Sequence, residues 1–468
     1  MKKTLENTAI FCKAIILLTL LTVLLLQSCE SFVEVDLPKS QLNSPAVFEE
    51  YATANAATTD LYSKMRDSGF LTGSNSGLSS QLGNYTDEMV PYGLPSNTSF
   101  NFYYNSILPT SPDMLEYWNS TYNQIYSANA VLEGLSKSTA LTQEQMKQLT
   151  GEALFVRALS HFYLVNIYGA IPYIVATDYT QNSAVARTSI EEVYKLLTKD
   201  LETAGELLTE NYNNGLRVRV NKYVVRALLA RVYLYSGSYA EASNEASALL
   251  NQTDSFQLEA NLDQVFLIDS HETIFQLQSA TAGQNTAEGL HFIFESGPPP
   301  SVALNDNLVN AFSTADKRKQ SWIRSVTDGN STWFHPYKYK QQEFTPSSVE
   351  YSVIFRLAEQ YLIRAEARAQ QGDLIGAKED LNKIRNRAGL TNTTAIDEED
   401  ILQAILTERR LELFSEFGHR FFDLKRFGKL DMQLSAIKPS WKTTNALFPI
   451  PQNELNANPN LRPQNPGY

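Results

Sequence analysis

The strongest pattern in the chain is a helical period of apolar residues. In 222–250, Val224, Val225, Leu228, Leu229 and Val232 share one face at helical spacing. Gly237 then punctuates the run, and a second amphipathic stretch follows it. The arrangement returns at 354–388, where Ile354, Ala358, Tyr361, Leu362, Ala365 and Ala369 form one stripe. Gly372 and Ala377 there repeat the spacing of Gly237 and Ala242. Small residues at these positions matter because two helices of a hairpin approach closely only where side chains are short. Two less regular pairs are read at roughly 46–67 with 112–135 and at 143–168 with 189–209.

Helix pairs of this kind bury a core by stacking on one another. The set Leu229, Ala230, Tyr233, Gly237, Ala242 is similar to the tetratricopeptide pattern. The expected fold is therefore mainly α: a tetratricopeptide-like superhelix of about four helix pairs, at roughly 46–67/112–135, 143–209, 219–251 and 351–390. Two insertions, 70–112 and 252–350, break the period and form a loop-rich, irregular half. Thr273–Gln278 and His291–Glu295 alternate like short strands. The insertions carry Gly, Ser, Asn and Pro together with many aromatic residues, a content that argues against disorder. A C-terminal helical block, 398–468, contains a dense mixed-sign run, including Glu408, Arg409, Arg410, Glu412, Glu416, Arg420, Asp423 and Arg426. With no nucleophile or cleft signature beside it, this run reads as an ion-pair network that orients the last helices.

The N-terminus has its own logic. Lys2 and Lys3 precede an apolar run from Ala14 to Leu26, too short to span a bilayer but suited to a signal peptide. It ends Leu26-Gln27-Ser28-Cys29, which resembles the bacterial lipoprotein signal, cut before a cysteine that is then lipidated. Residues 1–28 are read as signal peptide, 29–44 as a tether after lipidated Cys29, and 45–468 as one domain. The acids Glu30, Glu34 and Asp36 are similar to a surface-export signal of Bacteroidota lipoproteins. The only other cysteine, Cys12, lies inside the leader, so a disulfide framework and a cysteine zinc site are excluded for the folded part. The formal charge of −12 argues against a nucleic-acid grip and against adhesion to anionic lipid by charge.

Five blocks then combine: the cysteine signal, GEALFVRALSHFYLVNIYGAIP (151–172), RVNKYVVRALLARVYLYSG (219–237), FRLAEQYLIRAEARAQQGD (355–373) with LNKIRNRAGL (381–390), and ERRLELFSEFGHRFFDLKRFG (408–428). With the tail 448–468 they make the chain resemble the SusD/RagB family, in order and over almost its whole length. Phe427 stands where that family often has Trp. The resemblance implies a glycan-binding lipoprotein on the outer face of the outer membrane. It would capture oligosaccharides for a SusC-like, TonB-dependent transporter and would not be an enzyme. Peptide capture for a RagA/RagB-like importer, a surface glycoside hydrolase and a purely structural scaffold are the alternatives.

A saccharide presents apolar C–H faces and a rim of hydroxyls, so its site needs exposed aromatic rings with amide, acid or guanidinium groups beside them. The insertions supply both. Candidates in the first are Tyr92, Phe102, Tyr103 and Tyr104, with Asp87 and Asn101. In the second they are Trp322 and Trp333, with Arg324. Trp118, at helical spacing with Tyr122, Ile125 and Tyr126, is read as core. The five histidines show no metal-ligand spacing, and Asn305-Asp306-Asn307 reads as a turn rather than a calcium loop. No cofactor is expected beyond the covalent lipid.

Overall fold

The computed structural model describes residues 44–212 and 215–468. The leader, Cys29 and the tether to residue 43 lie outside them. Ser44–Val47 forms one helical turn, and Phe48–Tyr468 is a separate compact unit. No described helix is long and apolar enough to cross a membrane.

Ten helices carry the frame: α1 (Tyr51–Asp67), α2 (Pro112–Lys137), α3 (Gln143–Tyr168), α4 (Ile190–Leu207), α5 (Lys222–Ser236), α6 (Tyr239–Leu250), α7 (Leu357–Gln370), α8 (Leu374–Arg387), α9 (Glu398–Leu413) and α10 (His419–Arg426). The helices pack as α1 with α2, α3 with α4, α5 with α6 and α7 with α8. Successive pairs stack through α2–α3, α4–α5 and α6–α7, and α9 closes the array. This is the four-unit superhelix that the periodicity predicts.

Local chemistry sets the boundaries. The Thr142 side chain accepts from the Gln145 N–H while Gln145 reaches back, a capping box that starts α3. Asn221, Ser189, Asp373 and Asp397 cap α5, α4, α8 and α9. Gly237 ends α5 at φ +78°, a left-handed conformation that favours glycine. Small residues then let α5, α6 and α7 close together: Ala230, Ala242, Ala246 and Ala367 pack with Leu234 and Ile363. From Leu149 onward α3 is buried on nearly every face, as expected of a helix enclosed by α1, α2, α4 and α5.

The irregular half contains three two-stranded antiparallel sheets. β1 (Met89–Pro91) pairs with β3 (Val302–Leu304), β2 (Thr273–Leu277) with β6 (Ser352–Arg356), and β4 (Ile323–Thr327) with β5 (Thr332–Pro336). The strand read at 273–278 is β2. His291–Glu295 is not a strand. The Thr286 hydroxyl caps a short helix, Ala287–Phe292, which takes up the first two residues of that segment. Under this half lies an apolar cluster that includes Phe266, Leu308, Phe312, Trp322, Ile323, Tyr339, Leu411 and Phe414.

The mixed charges of the C-terminal block are buried between the two halves of this unit. Arg356 of β6 binds Glu416 (2.9 Å), Glu272 (3.1 Å) and Glu412. Arg387 of α8 binds Glu272 (2.7 Å) and Glu412. Arg318 binds Asp316 (2.7 Å), Glu408 (2.7 Å) and Glu412 (3.0 Å). Burial alone would raise the Glu412 pKa, but Arg387, Arg356 and Arg318 outweigh it and hold the carboxyl well below its ordinary range. Lys338 spans Glu416 and the backbone carbonyls of Glu412 and Phe414. These ions fix the loops of the irregular half onto the helical frame.

Candidate functional site

The β4–β5 hairpin presents Trp333. Asp328 accepts from the N–H groups of Asn330 and Ser331 (2.8 Å each) and sets the turn. Register then places Val326 opposite Trp333 and Arg324 opposite His335. Side chains alternate across a strand, so Trp333, Val326, Arg324 and His335 share one face. Phe334 and Ile323 take the other face and pack on the apolar cluster. Trp333 is half-buried and Arg324 exposed.

The Trp333 ring lies over Gly297. A Cβ at that position would come within 1.9 Å of the ring, so the absence of a side chain creates the seat. Tyr92, just after β1, stands against the same ring. Burial raises the Tyr92 pKa, a polar contact from Trp333 pulls it back, and Asp306 and Tyr103 raise it further. The Tyr92 backbone is fixed by its N–H to Ser301 O (2.6 Å) and by Asn97, whose amide donates to Tyr92 O (2.9 Å). Tyr103 ends the short helix Ser99–Tyr103 and meets Tyr104 edge-to-face, centroids 5.3 Å apart. Tyr104 is 55% exposed. The Lys438 ammonium lies 4.1 Å from the Tyr103 ring centre and donates to Tyr103 O (2.8 Å). Burial lowers the Lys438 pKa to about 7.

Trp333 meets Tyr92 and Tyr103 meets Tyr104, and these two partly exposed pairs, drawn from both insertions, make up the row Trp333–Tyr92–Tyr103–Tyr104. Asn101 is exposed on the helix that carries Tyr103. Arg324, two rungs along the hairpin from Trp333, lies over the Tyr337 ring (5.0 Å) and lines a cleft of about 330 Å³ with Glu295 and His335.

Three sequence candidates fall elsewhere. Trp322 is fully buried: its indole N–H donates to Leu262 O (3.0 Å) and its ring packs on Phe266, leaving no face for a ligand. Phe102 is core, against Tyr85, Tyr117 and Phe448. Asp87 is buried and clamped by Arg420 (2.8 and 2.9 Å) and Arg410 (2.9 Å). Burial would raise its pKa, but the two guanidiniums prevail and lower it. Glu88 beside it is also buried, and burial followed by the Asp87 charge pushes it up to about 7. Asn305 caps the helix Asp306–Ala311, which brings Asp306 toward Tyr92. Among the described residues no group of three His, Cys, Asp or Glu is placed to hold a metal ion.

Residues 39–234 match a family model described as starch-binding, associating with the outer membrane, and residues 312–468 match the SusD family model. The chain belongs to the SusD/RagB family. Among relatives, it is 26% identical to SusD-like protein P2 of Formosa agariphila, over 75% of this chain and 80% of that protein. It is 24% identical to the starch-binding protein SusD of Bacteroides thetaiotaomicron, over 71% of this chain and 75% of that one. A SusD superfamily structure from Bacteroides vulgatus superposes with TM-score 0.77 at 21% identity, covering 90% of this chain and all of that one. A laminarin-binding SusD-like protein superposes with TM-score 0.75 at 25% identity, covering 89% and 99%. The SusD family is a glycan-binding family associated with the outer membrane.

Sequence reasoning missed Gly297, Asp306 and Lys438. Gly297 opens the run Gly297-Pro298-Pro299-Pro300, and a lone glycine in a proline-rich loop is the signal that could have marked a close approach. Nothing local marks Lys438, whose partners lie more than three hundred residues earlier.

Proposed function

We propose that this SusD-family protein is a cell-surface lipoprotein that captures oligosaccharides and hands them to a SusC-like, TonB-dependent outer-membrane transporter. The carrying observation is the partly exposed row Trp333–Tyr92–Tyr103–Tyr104, built on a hydrogen-bonded loop scaffold. Flat rings of this kind take the apolar face of a sugar, and Asn101 and Arg324 are placed to meet its hydroxyls. The starch-binding and laminarin-binding names of two relatives support the same ligand class. The cysteine signal supports a lipid at Cys29, the acids Glu30, Glu34 and Asp36 after it support an outward-facing protein, and the likeness to the family supports the transporter as partner. A hydrolase would need accessible carboxylates, and neither Asp87 nor the adjacent Glu88 is accessible. Asp87 and Glu88 are both buried, and Asp87 is neutralised by two arginines.

Calorimetric titration of the protein with neutral oligosaccharides and with peptides of similar length tests the reading. Saturable saccharide binding without release of reducing sugar supports it. Binding to peptides alone would favour a peptide importer, and steady release of sugar would make the protein a hydrolase.

A further inference from the structure

A second aromatic groove lies on the helical half and shares no residue with the row above. Its floor is one face of α2, where Trp118, Tyr122 and Tyr126 recur every fourth residue, about 6 Å apart along the axis. Asn119 and Asn123 follow the first two rings and are exposed. The far wall is the loop 172–185, which offers Tyr179, 79% exposed, against Tyr126 at 51%. Glu454 of the C-terminal tail closes one end, in polar contact with the Trp118 indole. The groove is open to solvent on one side and has a volume of about 460 Å³, within the usual range for small-ligand sites of about 300–1,000 Å³.

The groove is held open by specific bonds. Tyr122 donates to Pro172 O (2.9 Å) and Asn129 to Ile174 O (3.1 Å). The Thr177 N–H and hydroxyl both donate to Glu133 (2.7 Å each). Asn458 and Asn460 donate to Val185 O (2.8 Å) and Ala184 O (2.7 Å), tying the tail to the loop. The wall opposite α2 is therefore set before any ligand arrives, which lowers the ordering cost of binding.

We infer that this groove is a second binding site for a neutral saccharide, independent of the Trp333–Tyr92 row. The chemistry selects the ligand class. Tyr126 and Tyr179 offer exposed ring faces above half-buried Tyr122 and the edge of buried Trp118, while Asn119, Asn123 and Glu454 offer donors and acceptors to hydroxyls. Among the described residues the lining holds no lysine or arginine and a single acid, Glu454, so the groove offers an anionic ligand repulsion and no direct cationic partner in its lining. The inference rests on the saccharide-binding reading but not on the first site.

The four tryptophans report on the two sites separately, because Trp118 lies in the groove, Trp333 in the row, and Trp322 and Trp441 are buried elsewhere. The full-length protein carrying fluorotryptophan would be titrated with laminarin-derived and starch-derived oligosaccharides and followed by fluorine NMR. A saccharide that shifts the Trp118 resonance, with a midpoint weakened about tenfold in Tyr126→Ala or Tyr179→Ala while the Trp333 midpoint holds, supports the inference. A Trp118 shift without a Trp333 shift also supports it and removes the first site instead. A Trp118 resonance that no saccharide moves, while Trp333 responds, overturns the inference and leaves the proposed function intact. Silence at both positions overturns both, and a Trp118 shift with peptides alone overturns the inference. Tyr126 and Tyr179 are exposed, so their loss leaves the fold in place.

Discussion

Gly297→Ala tests the aromatic row without touching any ring in it. The new Cβ would stand 1.9, 2.4 and 2.7 Å from three carbons of the Trp333 six-membered ring. Ordinary carbon contacts begin near about 3.5 Å, so the indole must withdraw by roughly 1.6 Å. That movement takes the indole away from Tyr92. It also spoils the ring face offered to a sugar, worth about 0.5–1.5 kcal/mol. The expected loss of saccharide affinity is therefore about 0.5–1.5 kcal/mol, or roughly 2- to 13-fold. Calorimetry on wild type, Gly297→Ala, Trp333→Ala and the double variant forms a cycle. If glycine 297 acts by seating Trp333, its substitution costs affinity in the wild type and nothing more once Trp333 is gone. An equal cost in both backgrounds would refute the reasoning.

Other expectations follow from the buried charges and rings. Glu412→Gln leaves Arg356, Arg387 and Arg318 without their shared carboxylate, and urea titration should show a loss of about 3–5 kcal/mol. Trp322→Ala should cost a similar amount, about 3–5 kcal/mol, because it empties a core site, and should not weaken saccharide binding by the folded fraction. His161 is fully buried, with Nδ1 at Arg157 O (2.8 Å) and Nε2 accepting from the Ile174 N–H (3.2 Å). Burial, the chief cause, lowers its pKa to about 3. The unfolded chain therefore takes a proton at this position between the ordinary value near 6.5 and that lower value, while the folded protein does not. Relative to His161→Gln, the wild type should lose stability as pH falls below about 6.5, by at most about 1.4 kcal/mol per unit. Parallel curves for the two proteins from neutral pH to pH 4 would contradict this. The comparison with a variant is needed because Glu88 and Glu288, both pushed up to about 7 chiefly by burial, add stability as pH falls from 7 toward 4.5.

The helical frame was legible because its signals are local. The stripe Val224–Val232, the stop at Gly237 and the small residues of α5 and α6 each act within a few turns. The ion-pair reading of 408–426 also rested on local charge density. The irregular half was legible only as a region. Whether a loop aromatic faces solvent depends on a partner far away in sequence, as with Trp322, whose backbone carbonyl is bonded by Tyr337 N–H while its ring fills the core. Asp87 looked like a polar loop residue until Arg410 and Arg420 arrived from the far end of the chain. The alternation at 291–295 suggested a strand because five residues cannot outweigh a helix cap upstream. Trp118 is buried as its helical spacing predicts, yet its edge still lines the groove on α2.

The most direct measurement is a calorimetric titration of wild type and Trp333→Ala with a panel of neutral oligosaccharides, alongside their thermal unfolding. The account predicts that at least one saccharide binds the wild type, that Trp333→Ala weakens it about tenfold, and that the half-buried ring's loss leaves the melting cooperative. Saccharide binding of equal strength in both proteins, or none in the wild type across the panel, would contradict it.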